Sequence, residues 1–153
     1  MNDPDDIKQQ LHQACVADVD RRIATVRDIL AGIAASRESE TKSSVGDKYE
    51  TGRAMLQGEE ARAHAQLQQA VESRQELDGI GPERTSGRAT KGSLVITDRG
   101  SYYLAVGLGK VHLDGQLYYC VSVSSPIGQV LLNRGVGETA EFNGKRLTIV
   151  AVY

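Results

Sequence analysis

The chain has 153 residues, 40% apolar and 25% charged, the balance of one ordinary folded domain or two small ones rather than of a disordered chain. A net charge of −2 argues against a strongly basic nucleic-acid binder. The longest apolar run, "ILAGIAA", is far short of the roughly 20 residues that span a bilayer.

The first residues, "MNDPDDIKQQ", are acidic and polar, the opposite of a secretory leader's basic start. Cys15 and Cys120 fall in segments of different character. The expectation is a reduced, cytoplasmic protein with two structural thiols. Residues 1–80 hold 15 acids and 10 bases, whereas residues 91–153 hold 4 acids and 6 bases. Of the seven aromatics only Tyr49 precedes residue 91, and nine of the 16 glycines follow it. Aromatics and glycines are strand and turn material, so the two parts are expected to fold differently. The stretch between them, "DGIGPERTSGRATKG", has the Gly, Ser, Thr and Pro content of a linker. The expected division is a helical part over 1–80, a linker over 81–91 and a second domain over 92–153.

In chain order, Asp3 before Pro4 predicts a helix start, with proline at the first helical position. Val16, Val19, Ile23, Val26, Leu30 and Ile33 follow at spacings of 3, 4, 3, 4 and 3, an a/d seam that Ile7 and Leu11 extend upstream. A second helical run covers about residues 47–78. Its seam is thinner: Leu56, Ala63, Leu67, Ala70 and Leu77, with Glu60 and Arg74 interrupting it. Two such helices joined by a short polar segment form an antiparallel coiled-coil hairpin. Some 30 residues per arm at 1.5 Å each give a rod of roughly 45 Å, which suits reach better than core burial. Its tip, near 38–50, carries "GDKYE", Gly46 to Glu50. Stability alone accounts for acids there, since Ser44 with Asp47 resembles a capping box and Asp47 and Glu50 complement a helix N-terminus.

Beyond residue 92 the pattern turns to short runs. "SLVIT" and "YYLAVG" are separated by "DRGS"; "KVHL" and "QLYYCVSV" flank Asp114-Gly115; "AEF" and "KRLTIVAVY" flank Asn143-Gly144. The last two pairs are hairpin signals. "SPIGQVLLN" predicts a helix over 126–132, with Ser125 as N-cap and Pro126 at its first position. Four or five antiparallel strands and one helix make a small α+β domain.

Val121 to Tyr153, "VSVSSPIGQVLLNRGVGETAEFNGKRLTIVAVY", resembles the C-terminal domain of Gre-type bacterial transcription elongation factors. Ser122, Ser125, Pro126, Ile127, Gly128, Leu131, Leu132, Gly137 and Glu138 stand at positions matching that family's S-x-x-S-P-[IL]-[GA]-x-x-L-L segment and G-[DE] turn. The family's order, a long coiled-coil hairpin and then an FKBP-like domain, is the order read here from periodicity. The resemblance implies an accessory factor, not an enzyme in its own right, with RNA polymerase as partner. It implies docking at the secondary channel through the segment containing Ser122, Ser125, Pro126, Ile127 and Gly128. Gly46-Asp47-Lys48-Tyr49-Glu50 reproduces the family's G-D-x-x-E. By resemblance, Asp47 and Glu50 would help hold the second Mg²⁺ of the polymerase active site and orient a water, so that the polymerase cleaves backtracked RNA. No cofactor of the chain's own, no sequence-specific nucleic-acid contact and no membrane contact are implied, and a monomer is expected.

The tip also departs from the family, with Thr51-Gly52-Arg53 where Asn and then Ala-Glu-Tyr usually follow. Aligning on Tyr49 instead puts Lys42 and Val45 at the acidic positions. That register describes an inhibitor or modulator of the polymerase without cleavage activity. A coiled-coil adapter that only mediates protein contacts is a further reading. A prolyl isomerase is disfavoured, because one Phe, no Trp and paired tyrosines do not line a deep aromatic pocket. His12, His64 and His112 form no zinc spacing with the cysteines. No phosphate-binding loop and no G-x-S-x-G occurs.

Overall fold

The computed structural model describes residues 3–41, 46–81 and 87–153, and of residues 40, 41 and 46–51 the backbone only. Two long helices, α1 (Pro4–Thr41) and α2 (Gly46–Asp78), precede β1 (Leu94–Thr97), β2 (Gly100–Ala105), β3 (Gly109–Leu113), β4 (Gln116–Ser122), α3 (Pro126–Leu131), β5 (Thr139–Phe142) and β6 (Lys145–Val152). The chain divides into two compact units, Val19–Arg74 and the remainder, Met1–Asp18 with Gln75–Tyr153. Among the described residues no helix is long and apolar enough to cross a membrane.

In the Val19–Arg74 unit the two helices are antiparallel neighbours. Val19, Val26 and Ile33 are buried, while Ile23 and Leu30 are half-buried between them. On α2, Ala63 and Ala70 are buried and Leu56 and Leu67 half-buried. Small residues on one side let the backbones approach, which offsets a seam with few large side chains. The two charged interruptions have partners across the seam: Arg74 Nε donates to Asp20 Oδ1 at 2.9 Å, and Glu60 pairs with Arg37. They fix the register that the alanines leave loose.

In the other unit the sheet has six strands in the order β3-β4-β2-β1-β6-β5. This corrects the expectation of four or five antiparallel strands: β2 and β4 run parallel, with Tyr102 opposite Tyr119 and Leu104 opposite Val121. The cause is non-local. The β3–β4 hairpin folds back so that β4, not β3, lies beside β2, and no short-range pattern encodes that choice. The hairpins themselves are where turn chemistry puts them. Asp114 and Gly115 have φ of 51° and 79°, and Asn143 and Gly144 have φ of 52° and 75°, as tight two-residue turns require.

One face of the sheet buries Val95, Leu104, Leu147 and Ile149 against Ile127 and Leu131 of α3, each side chain contributing roughly 1.5–3 kcal/mol. On the opposite face, Leu94, Tyr103 and Cys120 form a row across β1, β2 and β4, since directly paired residues share a face. All three are buried, and the first turns of α1 meet this row. His12 Nδ1 lies 3.3 Å from Tyr103 Oη, and the buried Cys15 is near enough to raise the Cys120 thiol. Neither face of the central strands is bare. Tyr102 and Tyr119, opposite each other across β2 and β4, are half-buried and stacked with centroids 5.4 Å apart.

The expected linker, 81–91, includes Ala89, which is fully buried and is part of the core. Its N–H donates to Arg134 O at 2.9 Å, and its carbonyl accepts from Asn133 N at 2.8 Å.

Candidate functional site

Two regions carry the residues singled out by sequence. The first is the tip. Asp47 and Glu50 fall at the start of α2 (Gly46–Asp78), three residues apart and so on one face of the helix as positions. Their side chains lie outside the described residues, as do Lys42, Ser44 and Val45 altogether. The spacing and residue type suit Mg²⁺, a hard cation that takes carboxylate oxygens and keeps several waters. Among the described residues no group of three or more His, Cys, Asp or Glu is placed to hold a metal ion.

The second region is the Ser122–Glu138 segment, which the structure resolves into two locked turns. Ser125 is in extended conformation, and its Oγ accepts from Gly128 N at 3.1 Å, capping α3 as expected. The same hydroxyl donates to Ser122 O at 2.6 Å. Pro126 occupies the first helical turn, where no N–H is needed. Gly128 is held close under β4: a Cβ there would lie 2.0 Å from the Ser122 carbonyl oxygen, a distance no side chain tolerates. Ser122 Oγ is 2.8 Å from Ser124 Oγ and accepts from Ser124 N at 3.2 Å. Ile127 faces the core.

Of the five residues given a docking role, Ile127 and Gly128 are therefore buried, and Ser122 and Ser125 are half-buried and occupied by local bonds. Only Pro126 is exposed, with Ser124 and Gln129 beside it. The surface this motif offers is the rim formed by those three, and the buried members shape it from beneath.

The second turn closes on Glu138. Its Oε2 accepts from Gly135 N at 2.8 Å and its Oε1 pairs with Arg88 at 3.4 Å. The Gly135 N–H, then Arg88 and Arg134, hold this carboxyl below the usual range. Arg88 also donates to Asn133 O at 2.7 Å. Val136, at the apex, is 64% exposed, which puts an apolar side chain within the same surface segment.

Sequence reading missed the contact between α1 and the sheet. A cleft of about 500 Å³ opens there, lined by Asp5, Asp6, Gln9, His12 and Tyr103 among others. Tyr103 lies at its floor, only 1% exposed. Burial, reinforced by Cys15 and Cys120, pushes the tyrosine hydroxyl up. The hydrogen bond from Cys15, then burial, pushes the Cys120 thiol up. Cysteines so far apart in sequence gave no spacing from which the pair could be read. The cleft has one aromatic among these residues, whereas prolyl isomerisation needs a deep aromatic-lined pocket.

No protein-family model matches the chain, and no curated protein matches it.

Proposed function

We propose that this protein is a Gre-like transcription elongation factor. It would bind bacterial RNA polymerase at the secondary channel and stimulate the polymerase's own cleavage of backtracked RNA. The observation that carries this reading is the Ser122–Glu138 segment, in which Ser125, Pro126 and Gly128 build one capped turn and Glu138 closes the next. Support also comes from the order of elements, a long antiparallel helix pair before a mixed sheet with one short helix. On this reading the sheet domain is of the FKBP-like kind and docks through the rim containing Ser124 and Pro126. Asp47 and Glu50 are lent in trans to the polymerase active site, whose Mg²⁺ stabilises the charge that develops on attacking and leaving oxygens. The chain itself is then a monomeric, cytoplasmic accessory factor with no resident cofactor.

A second reading, polymerase inhibition or modulation without cleavage, is favoured by one observation: Thr51-Gly52-Arg53 follows the acids where the family has Asn and Ala-Glu-Tyr. Both readings require binding to polymerase. Co-sedimentation of the full chain with core polymerase is expected to show one-to-one binding that a Pro126→Asp change weakens. Absence of binding by the full chain rejects both and leaves the coiled-coil adapter.

A further inference from the structure

Cys15 and Cys120 are the only cysteines of the chain, and no step of the proposed function uses them. Two contacts bring them together. Tyr103 is the register partner of Cys120 across β2 and β4, and its hydroxyl lies 3.3 Å from His12 Nδ1. Cys15 follows His12 by three residues and so lies one turn along the same face of α1. Neither thiol is in a disulfide, both are fully buried, and Cys15 is the neighbour that most raises the Cys120 thiol.

We propose that Cys15 and Cys120 are a peroxide-oxidisable pair whose disulfide staples the first turns of α1 to strand β4. The co-reactant is a hydroperoxide. One thiol, as thiolate, attacks a peroxide oxygen; the O–O bond breaks, the sulfur becomes a sulfenic acid and water leaves. The second thiol attacks that sulfur, the S–O bond breaks, and a second water leaves. In sum, two thiols and one hydrogen peroxide give one disulfide and two waters: the sulfurs lose two electrons and the peroxide gains them.

The cleft gives a small oxidant its approach, since its lining includes His12 and Tyr103, and His12 is one helical turn from Cys15. The last step needs α1 to lift locally, because neither sulfur is accessible. The neighbouring Cys15 thiol, then burial, raises the Cys120 thiol and keeps it protonated at neutral pH, which makes it a slow nucleophile while the contact is closed. Oxidation is therefore gated by opening of the α1 start. The pair stays reduced under brief exposure and responds when oxidant persists.

The test uses the reduced full-length protein exposed to hydrogen peroxide, digested without reductant and mapped by mass spectrometry. The expected product is an intramolecular link between the peptides carrying Cys15 and Cys120, with loss of two hydrogens in the intact mass. The linked form should melt at a higher temperature, and dithiothreitol should reverse the rise. In Cys15→Ser and in Cys120→Ser the remaining thiol should gain oxygen instead, with no reversible rise in melting. Two other results overturn the proposal: separate oxygen addition at both wild-type thiols without a linked peptide, or persistence of both thiols under prolonged peroxide. A linked form that melts lower than the reduced form overturns the staple as well. The wild-type map decides the matter even where a serine variant folds poorly.

Discussion

Arg74 Nε donates to Asp20 Oδ1 at 2.9 Å, so a residue that interrupts the α2 seam in sequence joins the two helices in the structure. The pair is partly exposed, with 31% and 55% of the two side chains accessible. Its net worth is accordingly that of a screened pair, about 0.2–1 kcal/mol. A double-mutant cycle on Asp20→Ala and Arg74→Ala, read by urea unfolding, should return a coupling in that range that shrinks as salt rises. A salt-independent coupling would mean packing, not charge, holds the register here.

Ser125 and Gly128 make a sharper prediction. Gly128→Ala forces its Cβ against the Ser122 carbonyl, and over-packing of this kind costs typically 1–3 kcal/mol. Ser125→Ala removes a cap, at about 0.5–2 kcal/mol. Both should lower the urea midpoint. A Gly128→Ala protein as stable as wild type would show that the turn is not locked as described.

Glu138 predicts part of the acid response. Its folded-state carboxyl titrates below the unfolded value of about 4.3. The stabilisation it gives is whole above that unfolded value and is lost as pH falls through the lower folded one. Urea midpoints between neutral and strongly acidic pH should fall less steeply in that window for Glu138→Gln than for wild type. Identical acid slopes would mean the Gly135 and Arg88 contacts do not persist in solution.

The sheet domain is not expected to stand without its flanks. A fragment of residues 92–153 loses Ala89, whose two backbone bonds are worth about 1 kcal/mol each. It also uncovers the Tyr103–Cys120 row that α1 meets. Such a fragment should give a poorly dispersed amide spectrum and bind a hydrophobic dye. A well-dispersed, dye-silent fragment would contradict the role assigned to α1.

Much of this architecture was legible because the deciding interactions are local. Asp114-Gly115 and Asn143-Gly144 name their own turns, and Ser125-Pro126 names its own cap. The heptad spacing of Val19, Val26 and Ile33 gives the seam directly. What escaped is what sequence distance hides. The parallel β2–β4 pair depends on where a hairpin folds back. The Cys15–Cys120 contact depends on a helix start returning to a sheet formed much later in the chain. Glu60 and Arg74 read as defects until their partners, Arg37 and Asp20, came from the other helix. The docking residues were legible by type but not by role, because burial of Ile127 and Gly128 follows from the turn they share with Ser122.

The central claim is that Asp47 and Glu50 are lent to the polymerase active site, and RNA cleavage in a stalled, backtracked complex tests it most directly. Wild-type protein should accelerate Mg²⁺-dependent cleavage. Asp47→Ala and Glu50→Ala should each abolish that acceleration while binding persists and stability falls by no more than about 0.5–2 kcal/mol, the worth of a cap. Full cleavage with both variants would contradict the acidic-tip role, and bound wild-type protein that gives no cleavage would shift the account to an inhibitor or modulator.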